Sequence, residues 1–152
     1  MAARIQKDPV HAWLALRRAP GIGPLIYKRL LDRFGSPEKV LAASRSELQA
    51  VEGMTEKSVQ SVMRAVSSED PQKEIAFCRS NGYRIITLND PQYPYRLAQI
   101  PDPPPYLYVY GEDIPDQPAV AIVGTRNCTR YGSSMARRLG ADLAAMGMVI
   151  VS

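Results

Sequence analysis

Residues 119–132 read AVAIVGTRNCTRYG, and they decide the fold of the last third of the chain. The apolar run at 119–123 ends at Gly124, which is typical of a strand buried on both faces of a parallel sheet. A helix is predicted from about 132 to 146, and the apolar residues 148–151 predict a second buried strand. Strand, glycine-bearing loop, helix and strand in this order predict the first βαβ unit of a Rossmann-like, doubly wound sheet.

Two parallel strands and one crossover helix cannot by themselves enclose a core with helices on both faces. The sequence therefore predicts an α/β domain over 119–152 that is truncated at its C-terminal side or is completed by another chain. The preceding segment, 71–118, holds nine of the thirteen prolines. It is predicted to be a connector with a helix closed by Gly82 and two strands at 83–88 and 106–110.

The first seventy residues predict a compact domain of five short helices. Asp8 and Pro9 mark the start of the first helix, and residues 19–24 break it. Residues 44–47 (SRSE) have the spacing of a capping box, and Thr55 is placed to cap the fifth helix. The predicted class is α + α/β, with domains at 1–70, 71–118 and 119–152.

The composition excludes several classes of protein. The 152 residues carry 19 Lys and Arg against 15 Asp and Glu, so a formal charge of +4 permits a polyanionic partner at a local site. One histidine and two distant cysteines predict no metal site, no cofactor and no histidine-based catalysis. Without a signal peptide or a run of about 20 apolar residues, we expect a cytoplasmic protein that spans no membrane.

A first candidate site is the segment Pro20-Gly21-Ile22-Gly23 between two predicted helices, followed by Lys28. Its glycines suit a helix–hairpin–helix turn, which exposes backbone N–H groups that can bind a phosphate. A weaker copy, with Thr55 replacing the second glycine, lies at 51–55 and predicts a tandem of the SAM-like or RuvA-like kind. The alternative is that the hairpins only close turns in a spacer or protein-contact domain.

A second candidate is the loop that follows the first predicted strand of the α/β unit. Open α/β sheets bind ligands where such a strand ends and the next helix begins. The loop matches neither G-x-G-x-x-G nor a P-loop, and its composition predicts a phosphate pocket with one or two arginines and a tyrosine. A solvated loop is the alternative. The candidate DNA-binding residues are Gly124, Thr125, Arg126, Asn127, Thr129, Arg130 and Gly132.

Six of the eight tyrosines fall between Tyr83 and Tyr110. Exposed aromatic rings can stack on the bases of single-stranded DNA. Alternating tyrosines also suit packing between strands, and this interpretation is the favoured one.

Several blocks of the chain resemble one family, the bacterial DNA-processing protein A (DprA, also called Smf). Residues 16–41 (LRRAPGIGPLIYKRLLDRFGSPEKVL) are similar to its N-terminal SAM-like domain. Residues 90–97 (DPQYPYRL), 102–104 (DPP) and 107–111 are similar to the entry into its extended Rossmann domain. Residues 119–132 resemble its signature loop, and 149–152 its second core strand.

This resemblance implies a non-enzymatic protein of natural transformation and DNA recombination. Family members bind and protect incoming single-stranded DNA and help to load the RecA recombinase. The loop matched by Gly124, Thr125, Arg126 and Thr129 would line the phosphate pocket, with Arg126 as its main cation. The family forms homodimers through a region beyond the position of Ser152.

Two other functions are compatible with the residues alone. A nucleotide-binding Rossmann enzyme of the phosphoribohydrolase type would use the same loop for a mononucleotide phosphate, and turnover of a nucleoside monophosphate would favour it. A protein-interaction fragment would use the helical domain as its contact, and capture of a partner without DNA affinity would favour that.

Overall fold

The computed structural model describes residues 8–65, 70–113 and 117–152, and it divides the chain into two compact units, Met1–Glu112 and Asp113–Ser152. The first unit contains six helices, a two-stranded ribbon and a short helix between its strands: α1 Pro9–Arg18, α2 Pro24–Phe34, α3 Pro37–Ala42, α4 Arg45–Gln49, α5 Glu56–Ala65, α6 Asp70–Ser80, β1 Tyr83–Thr87, α7 Tyr95–Ala98 and β2 Tyr106–Tyr110. The second unit contains β3 Ala119–Ala121, α8 Arg130–Ala145 and β4 Val149–Val151.

Local signals in the sequence explain where the helices begin and end. The Asp8 carboxylate accepts a hydrogen bond from the N–H of Val10 at 3.0 Å, which caps α1. Gly35 ends α2 with φ of 82°, a left-handed conformation that glycine adopts without strain. Ser44 and Glu47 form both hydrogen bonds of a capping box at α4. The five helices predicted for the first seventy residues are therefore confirmed.

The core of the first unit lies between α1, α2, α3 and α5. Trp13 stacks on Tyr27 with ring centroids 6.0 Å apart, and the Tyr27 hydroxyl donates to the Trp13 carbonyl at 3.2 Å. Burial raises the pKa of Tyr27, because the charged phenolate is less stable away from water. Thirteen buried residues form this core: Trp13, Leu16, Ala19, Ile22, Tyr27, Leu30, Leu31, Val40, Leu48, Val51, Val59, Val62 and Ala65.

The two hairpins pack against each other with nearly two-fold symmetric contacts. Gly53 lies 32 residues after Gly21, and the two have φ of 87° and 89°. A Cβ added to Gly21 would lie 3.1 Å from the Ser58 Cβ, and one added to Gly53 would lie 3.7 Å from Ile26, which is 32 residues before Ser58. The second copy in the sequence is therefore a hairpin of the same geometry, and the tandem is confirmed.

Hydrogen bonds repeat this symmetry. Arg29 in α2 donates to the Glu52 carbonyl of the second hairpin at 3.0 Å. Ser61, 32 residues after Arg29, donates to the Pro20 carbonyl of the first hairpin at 2.7 Å. Each helix therefore satisfies a loop carbonyl of the other hairpin, which fixes the two turns side by side.

The strands β1 and β2 pair antiparallel, from Tyr83 opposite Tyr110 to Thr87 opposite Tyr106. One face covers a small second core formed by Ile86, Tyr93 and Val109. Both strands were predicted, whereas the short helix α7 was not. The strands and α6 belong to the same compact unit as α1–α5, while the domain boundaries at 70 and 118 stay a prediction.

In the second unit, β3 and β4 pair in parallel, with Ala119 opposite Val149, and α8 is the crossover between them. This small parallel sheet, after the helical tandem, confirms the α + α/β class. Helix α8 approaches the sheet closely at Gly140, where an added Cβ would lie 3.7 Å from Ile122.

Burial of the first strand on both faces is a wrong prediction for this chain. Ala119 and Ala121 are exposed, and Val123 is 88% exposed. The physical reason is that one helix and one further strand cover only part of β3. The strand is also shorter than predicted, since β3 ends at Ala121. Helix α8 begins at Arg130 because Thr129 caps it.

None of the helices in the described ranges combines the length and the apolar character needed to span a bilayer.

Candidate nucleic-acid interface

The loop between β3 and α8 is exposed along its whole length, from Val123 to Thr129. At Gly124 an added Cβ would have no heavy atom within 4 Å, so the backbone is open to a ligand. The predicted residues from Gly124 to Gly132 are therefore brought together on one surface of the second unit.

Thr129 is the N-cap of α8. Its hydroxyl oxygen accepts a hydrogen bond from the N–H of Gly132 at 3.1 Å, which leaves its hydroxyl hydrogen available to an acceptor. The N–H groups of Arg130 and Tyr131, in the first turn, have no intrahelical acceptor. The helix start therefore offers one hydroxyl and two amides to an anion.

Thr125 has a different role from Thr129. Its hydroxyl donates to the Asn127 carbonyl at 3.1 Å and so holds the loop in shape. A phosphate oxygen accepts hydrogen bonds, so Thr125 has no hydrogen left to give it in this conformation. Of the two threonines, Thr129 is the one whose hydroxyl can reach a phosphate as a donor.

Arg126 lies within the loop and Arg130 follows it directly, and both side chains are exposed. Among the described residues, no carboxylate lies within ion-pair distance of Arg126 or Arg130. Guanidinium groups bind phosphate through two parallel N–H···O bonds. The pair can therefore neutralise phosphates without first breaking an internal ion pair.

Along the next two turns of α8, Arg130, Ser133, Ser134 and Arg137 line a shallow groove of about 290 Å³. Of these four residues, only Arg130 was predicted from the sequence. The missed signal is their spacing of three, four and seven residues, which places them on one helix face.

The first hairpin uses most of its predicted residues for the fold. Ile22 is buried in the core, and its carbonyl accepts from Arg17 at 3.1 Å. Gly21 lies against Ser58, and Lys28 donates to the Pro101 carbonyl at 3.3 Å. Gly23 precedes α2 without a side-chain cap, so the first N–H groups of that helix stay open. Contact of this hairpin with DNA stays a prediction.

The second hairpin is closed in the corresponding place. The Thr55 hydroxyl accepts from the N–H of Ser58 at 3.2 Å and thus occupies the helix start. Glu52 forms an ion pair with Arg29 at 3.5 Å and would repel a phosphate. Its side chains therefore make it the poorer anion site of the two.

Known proteins match both units. A family model described as DNA recombination-mediator protein A matches residues 84–152, and one described as SAM-like helix-hairpin-helix tandem matches residues 14–67. Protein Smf of Synechocystis sp. is 34% identical over 145 residues, which are 92% of this chain and 36% of that protein. DNA processing protein DprA of Bacillus subtilis is 36% identical over 80 residues, 51% of this chain and 27% of that protein.

The chain belongs to the DprA/Smf family. It corresponds to the N-terminal part of the family and spans about a third of the length of these two curated relatives. UvrABC system protein C of Chlamydia abortus shares a shorter segment, 44% identical over 61 residues, which are 40% of this chain and 10% of that protein.

Each of the two family matches contains one of the two kinds of candidate site. The match to the tandem contains both hairpins, and the match to the recombination-mediator family contains the βα loop and all of α8. In this DprA/Smf chain the open loop therefore belongs to the part that gives the family its description.

The tyrosines between 83 and 110 divide into packed and exposed rings. Tyr93 is buried and donates to the Pro104 carbonyl at 2.7 Å, and Tyr106 packs against the core of the first unit. Tyr108 donates to Glu74, and burial together with this hydrogen bond raises its pKa. The other three rings are exposed, namely Tyr83, Tyr95 and Tyr110. Packing is therefore supported for Tyr93 and Tyr106, and stacking of the exposed rings on bases stays a prediction.

Cys78 is buried and Cys128 is exposed, both as free thiols. Burial raises the pKa of the Cys78 thiol. Within the part of the chain that the structure describes, no three His, Cys, Asp or Glu side chains are grouped as a metal site.

Proposed function

We propose that this chain binds single-stranded DNA through its phosphates at the βα loop, as the N-terminal part of a DprA/Smf protein that acts in natural transformation and recombination in the cytoplasm. The observation that carries the proposal is the pair Arg126 and Arg130, exposed beside an open glycine loop and without a carboxylate partner among the described residues. The family matches to a recombination mediator and to DNA processing protein DprA support it.

The proposed mechanism is electrostatic. Arg126 and Arg130 neutralise phosphate charges, and the Thr129 hydroxyl and the first amides of α8 donate to phosphate oxygens. None of these groups reads a base edge, so affinity depends little on sequence and falls with rising salt. A flexible single strand can fit its phosphates to a short loop more easily than a rigid duplex can. The proposed site therefore prefers single-stranded DNA.

Binding rather than catalysis is proposed for this site. Between 117 and 152 the sequence has one carboxylate, Asp142, and no histidine. Asp142 lies twelve residues after Arg130 on α8, about 18 Å along the helix axis. Within residues 117–152, therefore, no carboxylate or imidazole stands beside the loop to act as the general acid or base of a phosphoribohydrolase.

For the whole protein, the same proposal includes delivery of the bound strand to the RecA recombinase and homodimer formation. The chain spans about a third of the curated relatives, and we assign no residue of its two units to these steps. A RecA pull-down with the longer protein, with and without single-stranded DNA, tests them.

The DNA-binding proposal is tested by Arg126→Ala, with Arg126→Lys as the charge-preserving variant. Arg126→Ala should weaken binding to oligothymidylate about threefold to tenfold and lower the slope of log affinity against log salt by about 0.7. Arg126→Lys should retain the slope but not the full affinity, because lysine lacks the planar fork. The free energy of unfolding, obtained from melting curves, should stay within about 0.5 kcal/mol of that of the parent.

Equal single-strand affinity of Arg126→Ala and the parent would overturn the assignment of this loop. Turnover of a nucleoside monophosphate by the parent, lost in the same variant, would favour the nucleotide enzyme instead. Capture of a protein partner by a chain that lacks DNA affinity would favour the interaction fragment.

A further inference from the structure

The face of α8 that continues from the loop carries positive charge at the helix start. Arg130 is the first residue of the helix, and the first turn contains no acidic residue. The positive end of a helix dipole disfavours a cation and favours an anion. By contrast, α4, α5 and α6 each begin with an acidic residue in the first turn.

The second unit as a whole leaves this positive charge uncompensated. Residues 117–152 contain four arginines and one aspartate. The aspartate, Asp142, lies 3.9 Å from Arg138, which is not among the residues that line the groove. Arg137 has no carboxylate within ion-pair distance among the described residues.

Two small polar residues separate the arginines of the groove. Ser133 and Ser134 lie between Arg130 and Arg137 and keep the groove shallow and lined with hydroxyls. Arg130 and Arg137 are seven residues apart, about 10 Å along the helix axis. A strand that lies along the groove can place one phosphate at each arginine.

We infer that this face of α8, formed by Arg130, Ser133, Ser134 and Arg137, is a second phosphate subsite, which leads a nucleic-acid strand from the βα loop along the helix. The inference rests on the proposed DNA-binding function and adds the direction of the strand. The ligand is a polynucleotide backbone, since the groove continues from the loop to which the proposed function assigns the strand, and a chain of phosphates can occupy both places.

Arg137 and Arg138 provide a matched pair for the test. They are neighbours on one exposed helix and differ by about 100° around its axis. Arg137 lines the groove, whereas Arg138 does not line it and lies 3.9 Å from the Asp142 carboxylate. Replacing either one by alanine removes the same charge from nearly the same place in the chain.

The experiment measures affinity of the chain for an oligothymidylate of about 12 nucleotides at two salt concentrations. We expect Arg137→Ala to weaken binding about threefold to tenfold and to lower the salt slope by about 0.7, with Arg138→Ala close to the parent. Charge reversal should widen the contrast, so that Arg137→Glu loses more affinity than Arg138→Glu. Melting curves of all four variants check that the unit is folded.

Equal losses in the two members of each pair would overturn the subsite, because they would show a diffuse effect of net charge. Parent-like affinity of Arg137→Ala, when Arg126→Ala is weakened, would also overturn it and would leave the proposed function standing. If the parent itself does not bind single-stranded DNA, the proposed function fails and the subsite fails with it.

Discussion

Most of the described arginines of the first unit bond within their own unit, whereas those of the βα loop and helix start in the second unit do not. Arg29 and Arg33 donate to carbonyls of the second hairpin and its flank, and Arg18 pairs with Glu74 at 2.5 Å. Arg126 and Arg130 have no such partner among the described residues. The same type of side chain thus closes loops in the first unit and has no carboxylate partner among the described residues at the loop of the second.

The glycines differ in the same way. Gly21 is held at φ of 89° against Ser58, so its missing side chain serves the packing of the two hairpins. Gly124 has open space where a Cβ would stand. Substitutions should therefore reduce stability in the first unit and reduce binding in the second.

The largest expected effect on stability lies in the core of the first unit. Leu30 is fully buried, so Leu30→Ala should destabilise the unit by about 2–5 kcal/mol through lost burial and a cavity. Leu25, on the same helix, is 50% exposed, and Leu25→Ala should cost less than about 1 kcal/mol. Urea unfolding followed by fluorescence of Trp13, the single tryptophan, measures both. Similar losses in the two variants would contradict the described core.

The next effect concerns the two glycines. Gly21→Ala should cost about 1–3 kcal/mol, since its φ is positive and the new Cβ would stand 3.1 Å from that of Ser58. Gly124→Ala should change stability by less than about 0.5 kcal/mol, because the site is open. Thermal unfolding of both variants gives the comparison. A destabilised Gly124→Ala would mean that the loop is closed in solution.

A smaller difference is expected between the two kinds of arginine. Arg29→Met removes the hydrogen bond to the Glu52 carbonyl and should cost about 1 kcal/mol. Arg126→Met removes no bond within the described residues and should leave stability unchanged within about 0.5 kcal/mol. Denaturant midpoints measure the first variant in the tryptophan signal and the second by circular dichroism. The comparison between the units fails if the two losses are alike.

Much of the fold could be predicted because its signals are local. Caps and turn glycines at Asp8, Gly35 and Ser44 act within a few residues, so the helix boundaries follow from the sequence. Gly21 and Gly53 suit a positive φ in two similar turns at a fixed spacing, and this repeat identified the tandem. Helix α7 has only four residues and no side-chain cap, so the sequence carried no local signal for it.

The sites were less predictable, because they depend on which partners tertiary structure supplies. The sequence placed Lys28 and Arg126 alike as cations beside a glycine turn. Only the structure shows that Lys28 is bound to the Pro101 carbonyl, 73 residues away, while Arg126 has no partner among the described residues. Burial of β3 was wrong for a related reason, because an apolar run indicates what a strand can bury and not what covers it.

The smallest expected effect on stability at neutral pH is that of Tyr27→Phe. At alkaline pH this substitution should distinguish the first unit from the second. Loss of the hydroxyl bond to the Trp13 carbonyl should cost about 0.5–1 kcal/mol. Burial raises the pKa of Tyr27, so its contribution to stability is complete below about pH 10, its usual range, and is lost as pH rises through the raised value. The parent should therefore lose stability above about pH 10 more steeply than Tyr27→Phe.

Some alkaline loss should remain in Tyr27→Phe, because burial also raises the pKa of Tyr93, Tyr106 and Tyr108 in the same unit. Tyr131→Phe is the matched control in the second unit, where the ring is 75% exposed, and it should follow the parent at every pH. Urea midpoints by tryptophan fluorescence from pH 7 to about pH 11 measure the two slopes. Parallel curves of urea midpoint against pH for the parent and Tyr27→Phe would mean that the Tyr27 hydroxyl reaches water. The first unit could then no longer be contrasted with the second as the one with a closed core.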